Sequence, residues 1–229
     1  MEGRSGVITR LAVRSGRPDR TRVYVDGRLA AELATQVVDE ARLHEGYRLE
    51  EHRLAELLAD DEPHRARSRA LHMLAGRDRS VAEVRQRLAS AGFSASAIAS
   101  TVEWLSALGY LDDQRFAGRY VHEKVKAGWG ERRLRVELTR KGVERKHVEE
   151  ALAAVHEEEQ VVGGQHETLV SLVQRRFARS WVVDREGSER RLAGFLLRRG
   201  FGWDDVSRMV RLMDEGHPGS GGAGQGDAP

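Results

Sequence analysis

The chain has 229 residues, enough for one large or two small domains, and its 40% apolar content can bury a sizeable core. It contains no cysteine, which excludes disulfide staples, thiolate catalysis and cysteine-based zinc sites and fits a reducing compartment. No apolar run approaches the ~20 residues that cross a bilayer, and the first residues lack a signal-peptide core, so a cytoplasmic location without a membrane partner is expected.

The net charge of +2 hides a segregation of charge along the chain. Residues 39–62 carry nine acids against three arginines, whereas residues 115–146 carry eleven Arg and Lys against four glutamates. Such asymmetry points to a polyanionic or charge-patterned partner, or else to solvated helix faces.

From the N-terminus, Val7, Thr9, Leu11 and Val13 alternate with other residues up to the turn Ser15-Gly16-Arg17-Pro18, as a strand does. Thr21 to Val25 reads as a second strand, and Asp26-Gly27 is the tight-turn dipeptide leading to a third, Arg28 to Leu33. This three-stranded meander needs the cover of helices expected at Thr35 to Leu43 and Leu49 to Ala59, the second ending before Pro63.

Beyond His64 the period becomes helical and the chain repeats itself. Three segments align on Gly92, Gly142 and Gly200, each four residues after a leucine: Leu88, Leu138 and Leu196. Apolar residues also match eight before the glycine (Val84, Leu134, Leu192) and one after it (Phe93, Val143, Phe201). Further columns lie six after (Ile98, Val148, Val206), ten after (Val102, Leu152, Val210) and thirteen after (Leu105, Val155, Met213). Apolar residues four apart share a helix face, and a glycine just beyond can take the left-handed C-terminal cap. Each copy is therefore a helix, a sharp turn and a helix, preceded by a further helix at Arg65 to Leu74, Asp113 to Lys126 or Thr168 to Arg179. The fold class expected is mainly α: a tandem array of three three-helix repeats, neighbours covering one another's apolar faces, behind a small β-meander plus helix module. The boundaries are 1–62 for that module, 63–111, 112–156 and 168–215 for the repeats, 157–167 for a linker and 216–229 for a disordered glycine-rich tail.

Three stretches resemble the bacterial RecX family: Ser80 to Leu88, with a serine N-cap and Glu83 three residues on; Gly109-Tyr110-Leu111-Asp112-Asp113-Gln114-Arg115-Phe116-Ala117; and Gly128-Trp129-Gly130 through the basic helix ending in Lys141-Gly142. The resemblance covers roughly His64 to Met213 and implies a non-enzymatic regulator with no cofactor. It also implies a monomer that lodges in the groove of the RecA–DNA filament and damps strand exchange, ATP hydrolysis and co-protease activity. The third repeat departs from the pattern through the insert Val155 to Glu167 and an enlarged turn at Ser180 to Gly187. A second reading makes the chain a helical-repeat protein acting directly on single- or double-stranded DNA.

Cations that could meet DNA phosphates or acidic patches on RecA are Arg115, Arg119, Lys124, Lys126, Arg132, Arg133, Arg135, Arg140 and Lys141, with Trp129 as an exposed anchor or, more in keeping with its type, a plug between helices. Gly163-Gly164-Gln165 matches the tripeptide of peptide release factors but lacks that family's flanking residues and reads as a linker. His64 and His72 lie two helical turns apart, too far for one zinc, so no metal site is expected. In Asp112-Asp113, one residue is expected to cap a helix, and the glycines after His217 follow no strand and are no phosphate loop.

Overall fold

The computed structural model describes residues 6–162 and 164–217. Two compact units divide between Leu111 and Asp112.

The first unit opens with β1 (Gly6–Arg14), β2 (Arg17–Val25) and β3 (Arg28–Ala34). Asp26 and Gly27 have φ of +48° and +78°, both left-handed, as the expected two-residue hairpin turn requires. After α1 (Thr35–Glu40) a two-residue strand, β4 (Arg48–Leu49), pairs antiparallel with β1, so the sheet has four strands in the order β3-β2-β1-β4 rather than three. Its inner face buries Ile8, Val23, Val25 and Leu33 against Val37, Val38, Leu49 and Leu57.

A single helix, α2 (Glu51–Gly76), runs through Pro63, where a break had been expected, so the 62/63 boundary falls inside a helix shared by the sheet module and the first repeat. Proline forfeits its own backbone hydrogen bond and crowds the preceding turn. Here that turn is clamped: the fully buried carboxylate of Asp61 accepts from Arg20 Nη1 (2.7 Å) and Nη2 (3.1 Å) and from the backbone N–H of Ala34 (2.6 Å).

Helices α3 (Val81–Ser90) and α4 (Ala95–Ala107) complete the first repeat. The expected capping box closes α3, with Glu83 N donating to Ser80 Oγ at 3.1 Å and Ser80 N to the Glu83 carboxylate at 3.3 Å. Glu62 on α2 accepts from both the backbone N–H and the hydroxyl of Ser94, the residue that caps α4. These two bonds hold the Glu62 carboxyl below the usual carboxylate range.

The second unit holds the other two repeats: α5 (Asp113–Lys126), α6 (Glu131–Arg140) and α7 (Arg145–Val162), then α8 (Gly164–Val183), α9 (Arg185–Arg198) and α10 (Trp203–Gly216). The stretch expected as a linker, 157–167, is helical up to Val162 and again from Gly164, and Gly163 lies outside the described residues, as does the glycine tail from residue 218. The third-repeat turn is short: only Asp184 separates α8 from α9, and it caps α9 by accepting from Gly187 N at 2.9 Å.

The repeat columns have one structural cause. In each copy the residue after the glycine donates back to the leucine five before it, Phe93 to Leu88 (3.3 Å), Val143 to Leu138 (3.1 Å) and Phe201 to Leu196 (3.1 Å), while the glycine itself sits at φ of +84°, +73° or +90°. This is the Schellman turn, which seats an apolar residue over the end of the helix it closes. The other columns face inward: Val84, Leu134 and Leu192 are at most 1% exposed. Each repeat closes a buried cluster of its own, around Leu88 and Leu105, around Leu134 and Leu138, and around Trp181 and Leu196. Three helices suffice to surround one small core, which leaves the junctions to other contacts.

Candidate functional site

The basic segment of the second repeat is held between two caps. Asp112 accepts from Arg115 N at 2.8 Å and starts α5. At the far end Gly128, at φ +75°, turns the chain so that Trp129 N donates to Lys124 O at 3.0 Å. Burial of Leu134 and Leu138 on one side of α6 then leaves Arg132, Val136 and Arg140 exposed.

Where α5, the turn and α6 meet, aromatic rings and cations interleave. Trp129 is neither core nor fully exposed: it stands edge-on to Tyr120 (6.4 Å between centroids) while the Arg133 guanidinium lies over its ring at 3.7 Å. Lys124 Nζ is 5.5 Å from the Tyr120 ring and 5.7 Å from Trp129, and Lys141 Nζ approaches Tyr120 at 5.5 Å. Each is within cation–π range, so ring faces hold three positive charges side by side. Burial, with Glu137 nearby, raises the Tyr120 pKa against the pull of Lys124, Arg133 and Arg140, which keeps the phenol protonated.

The expected cations fall into distinct groups. Arg135 is engaged by Glu149 (2.9 and 3.1 Å) and Glu131, which hold its guanidinium protonated more firmly than usual. Arg140 pairs with Glu137 at 2.6 Å, and Lys124 with Glu123 at 2.6 Å. Arg115 and Arg119 are exposed along α5. Lys126 and Arg132, at the facing ends of α5 and α6, are exposed and have no acidic partner among the described residues. The geometry thus gathers Lys124, Trp129, Arg133 and Lys141 around Tyr120, a residue the sequence reading did not single out.

Another feature missed from the sequence is the junction of the second and third repeats. Gly130 N donates to Arg199 O at 2.7 Å and Arg132 N to Gly200 O at 3.1 Å, so the Schellman turn of the third repeat caps the N-terminus of α6. Arg199 returns the contact by donating to the carbonyls of Ala127 (2.8 Å) and Gly128 (3.1 Å) while its guanidinium covers Phe195 at 4.6 Å. Burial and the neighbouring charges of Arg133 and Arg176 lower its pKa. A β-carbon on Gly130 would lie 2.5 Å from the Gly200 backbone. The two glycines flanking Trp129 were the available signal.

Among the described residues no three His, Cys, Asp or Glu side chains gather as a metal set, and no helix is long and apolar enough to cross a membrane.

Comparison with known proteins places this architecture. Profiles for the first, second and third three-helix domains of RecX match residues 66–105, 112–152 and 164–210. A regulatory protein RecX from Levilactobacillus brevis is 31% identical over 210 residues, covering 91% of this chain and 76% of the relative. Another, from Mycobacterium sp. strain KMS, is 34% identical over 150 residues, covering 62% and 79%. A crystal structure of a regulatory protein RecX superposes with a TM-score of 0.64 at 22% identity, over 90% of this chain and 98% of that one. A RecX structure from Lactobacillus salivarius gives 0.59, also at 22% identity, over 68% and 99%. With its three-helix domains matched in order and a relative 31% identical over 91% of its length, the chain belongs to the RecX family of regulatory proteins.

Proposed function

We propose that this chain is a negative modulator of RecA recombinase, binding in the groove of the RecA–DNA filament to inhibit strand exchange, ATP hydrolysis and co-protease activity. Family membership carries this reading, and the aromatic-backed cation cluster of the second repeat supports it. Rings that hold Lys124, Arg133 and Lys141 in place reduce the side-chain ordering that binding requires, while Lys126 and Arg132 supply charge that no acidic side chain among the described residues neutralises. The mechanism is steric and electrostatic: the bound chain obstructs the second DNA strand and biases the protomer geometry needed for ATP turnover, with no chemistry of its own.

Titration of the protein into RecA on single-stranded DNA, with ATP hydrolysis as readout, tests this directly. Inhibition that grows with added chain until it saturates is expected, and unchanged hydrolysis together with unchanged strand exchange would remove the proposal. The second reading, direct action on DNA, is separated by pull-down at rising salt. Retention on filaments under conditions that release the chain from bare DNA favours the filament, and the reverse favours DNA.

A further inference from the structure

We propose that the first unit carries a nucleic-acid site of its own, a tract along α2 that takes the phosphodiester backbone of a single strand and that the N-terminal sheet completes. A hollow of about 890 Å³ lies between the start of β2, the β3–α1 junction, α2, Phe93 and Trp104. A second, of about 740 Å³, follows α2 toward its C-terminus and shares Arg69 and His72 with the first. Together they accompany α2 from His64 to Gly76, a rise of ~18 Å, which is more than one phosphate fills.

The charge in this tract is positive and unspent. Of the acids on the first wall, Glu32 is taken by Arg14 and Arg22, leaving Asp19, while Asp61 beneath it is taken by Arg20 and Arg65. Arg17, Arg67 and Arg69 have no acidic partner among the described residues. Arg67 is already positioned, its guanidinium 5.2 Å over the Trp104 ring, yet its Nε is shut off from solvent with nothing to donate to. In the second hollow Arg79 repeats the pattern: Nε donates to Met73 O at 3.1 Å, and Nη1 is buried and unmatched. Folded proteins rarely leave such donors without an acceptor. Planar guanidinium forks suit phosphate oxygens, and the half-buried rings of Phe93 and Trp104 offer bases a surface on which to stack. Arg17 comes from β2, which gives the sheet module a part in binding. The site stands independently of the RecA reading.

The test uses the full chain and fluorescently labelled oligo-dT, read by anisotropy between 50 and 200 mM salt. Three phosphates neutralised at ~0.7 each give a salt slope that the triple variant Arg17→Ser/Arg67→Gln/Arg69→Gln should make about 2 units shallower, with affinity at least tenfold lower at 50 mM. The single Arg69→Gln, an exposed position on an intact helix, should lose about threefold and guards against misfolding of the triple variant. Wild-type slope and affinity in the triple variant would overturn the proposal. So would failure of the wild-type chain to bind oligo-dT, or displacement of the strand by an oligoglutamate of equal charge at equal concentration. Loss of DNA binding in the triple variant with inhibition of RecA hydrolysis retained supports a separate site, and a wild-type chain that binds oligo-dT without inhibiting RecA removes the proposed function while leaving this one.

Discussion

Gly92 and Gly200 occupy the same position in their repeats and the same backbone conformation, at φ +84° and +90°, yet alanine should affect them very differently. At Gly92 an added β-carbon meets nothing within 4 Å, so Gly92→Ala incurs only the left-handed strain, about 1–2 kcal/mol. At Gly200 the same carbon falls 2.4 Å from Arg133 N and 2.5 Å from Arg133 Cβ, atoms fixed in the first turn of α6. Relief requires the repeats to separate at that point. This adds about 1–3 kcal/mol of overpacking and about 1 kcal/mol for each of the bonds Gly130 N to Arg199 O and Arg132 N to Gly200 O. Gly200→Ala should therefore lose about 4–7 kcal/mol in urea denaturation, and Gly130→Ala, strained by contact alone at φ −83°, about 2–4 kcal/mol. Equal losses at Gly92 and Gly200 would refute the view that the third repeat is seated on the second through its glycine turn.

Asp61→Ala leaves Arg20, only 10% exposed, beside a missing carboxylate and strips the acceptor from Ala34 N, so a loss of about 3–5 kcal/mol is expected, and one below about 1 kcal/mol would contradict the clamp at Pro63. Asp214 is held below the ordinary carboxylate range chiefly by Arg185, with Trp181 also donating to it, against an opposing effect of burial. A lowered folded pKa means stabilisation that is complete above the unfolded value near ~4 and is lost as pH falls through the folded one. Asp214→Asn should accordingly flatten the acid limb of thermal unfolding below about pH 4, and an unchanged limb would exclude that role. Arg135→Ala, which breaks an exposed pair, should lower stability by under about 1 kcal/mol and leave RecA inhibition intact, whereas Lys126→Ala/Arg132→Ala should weaken inhibition without altering the melting temperature.

What could be read from the sequence was whatever is local in the chain. The Schellman turns, the Ser80–Glu83 box, the Asp112 cap and the limits of α5 are each set by residues within a turn or two of one another. What escaped depends on partners far away. Pro63 stays inside α2 where Asp61 is gripped by Arg20, 41 residues upstream, and a two-residue strand such as β4 has no period to detect. Among the candidate cations, Arg135 looks like its neighbours until α7 brings Glu149 to it, and the Gly130–Gly200 contact joins residues 70 apart that composition marks only as small.

The α2 helix, ~39 Å of continuous backbone, has a consequence for how the chain opens. Its first half belongs to the sheet core through Leu57 and its second half to the first repeat through Ala66 and Ala70, so amide protons on both halves should exchange in one cooperative event. The second and third repeats meet differently, through a pair of turns and where α8 lies against α5 and α7. Their amides should exchange as two populations with separate opening energies, so that one repeat can loosen while its neighbour stays shut.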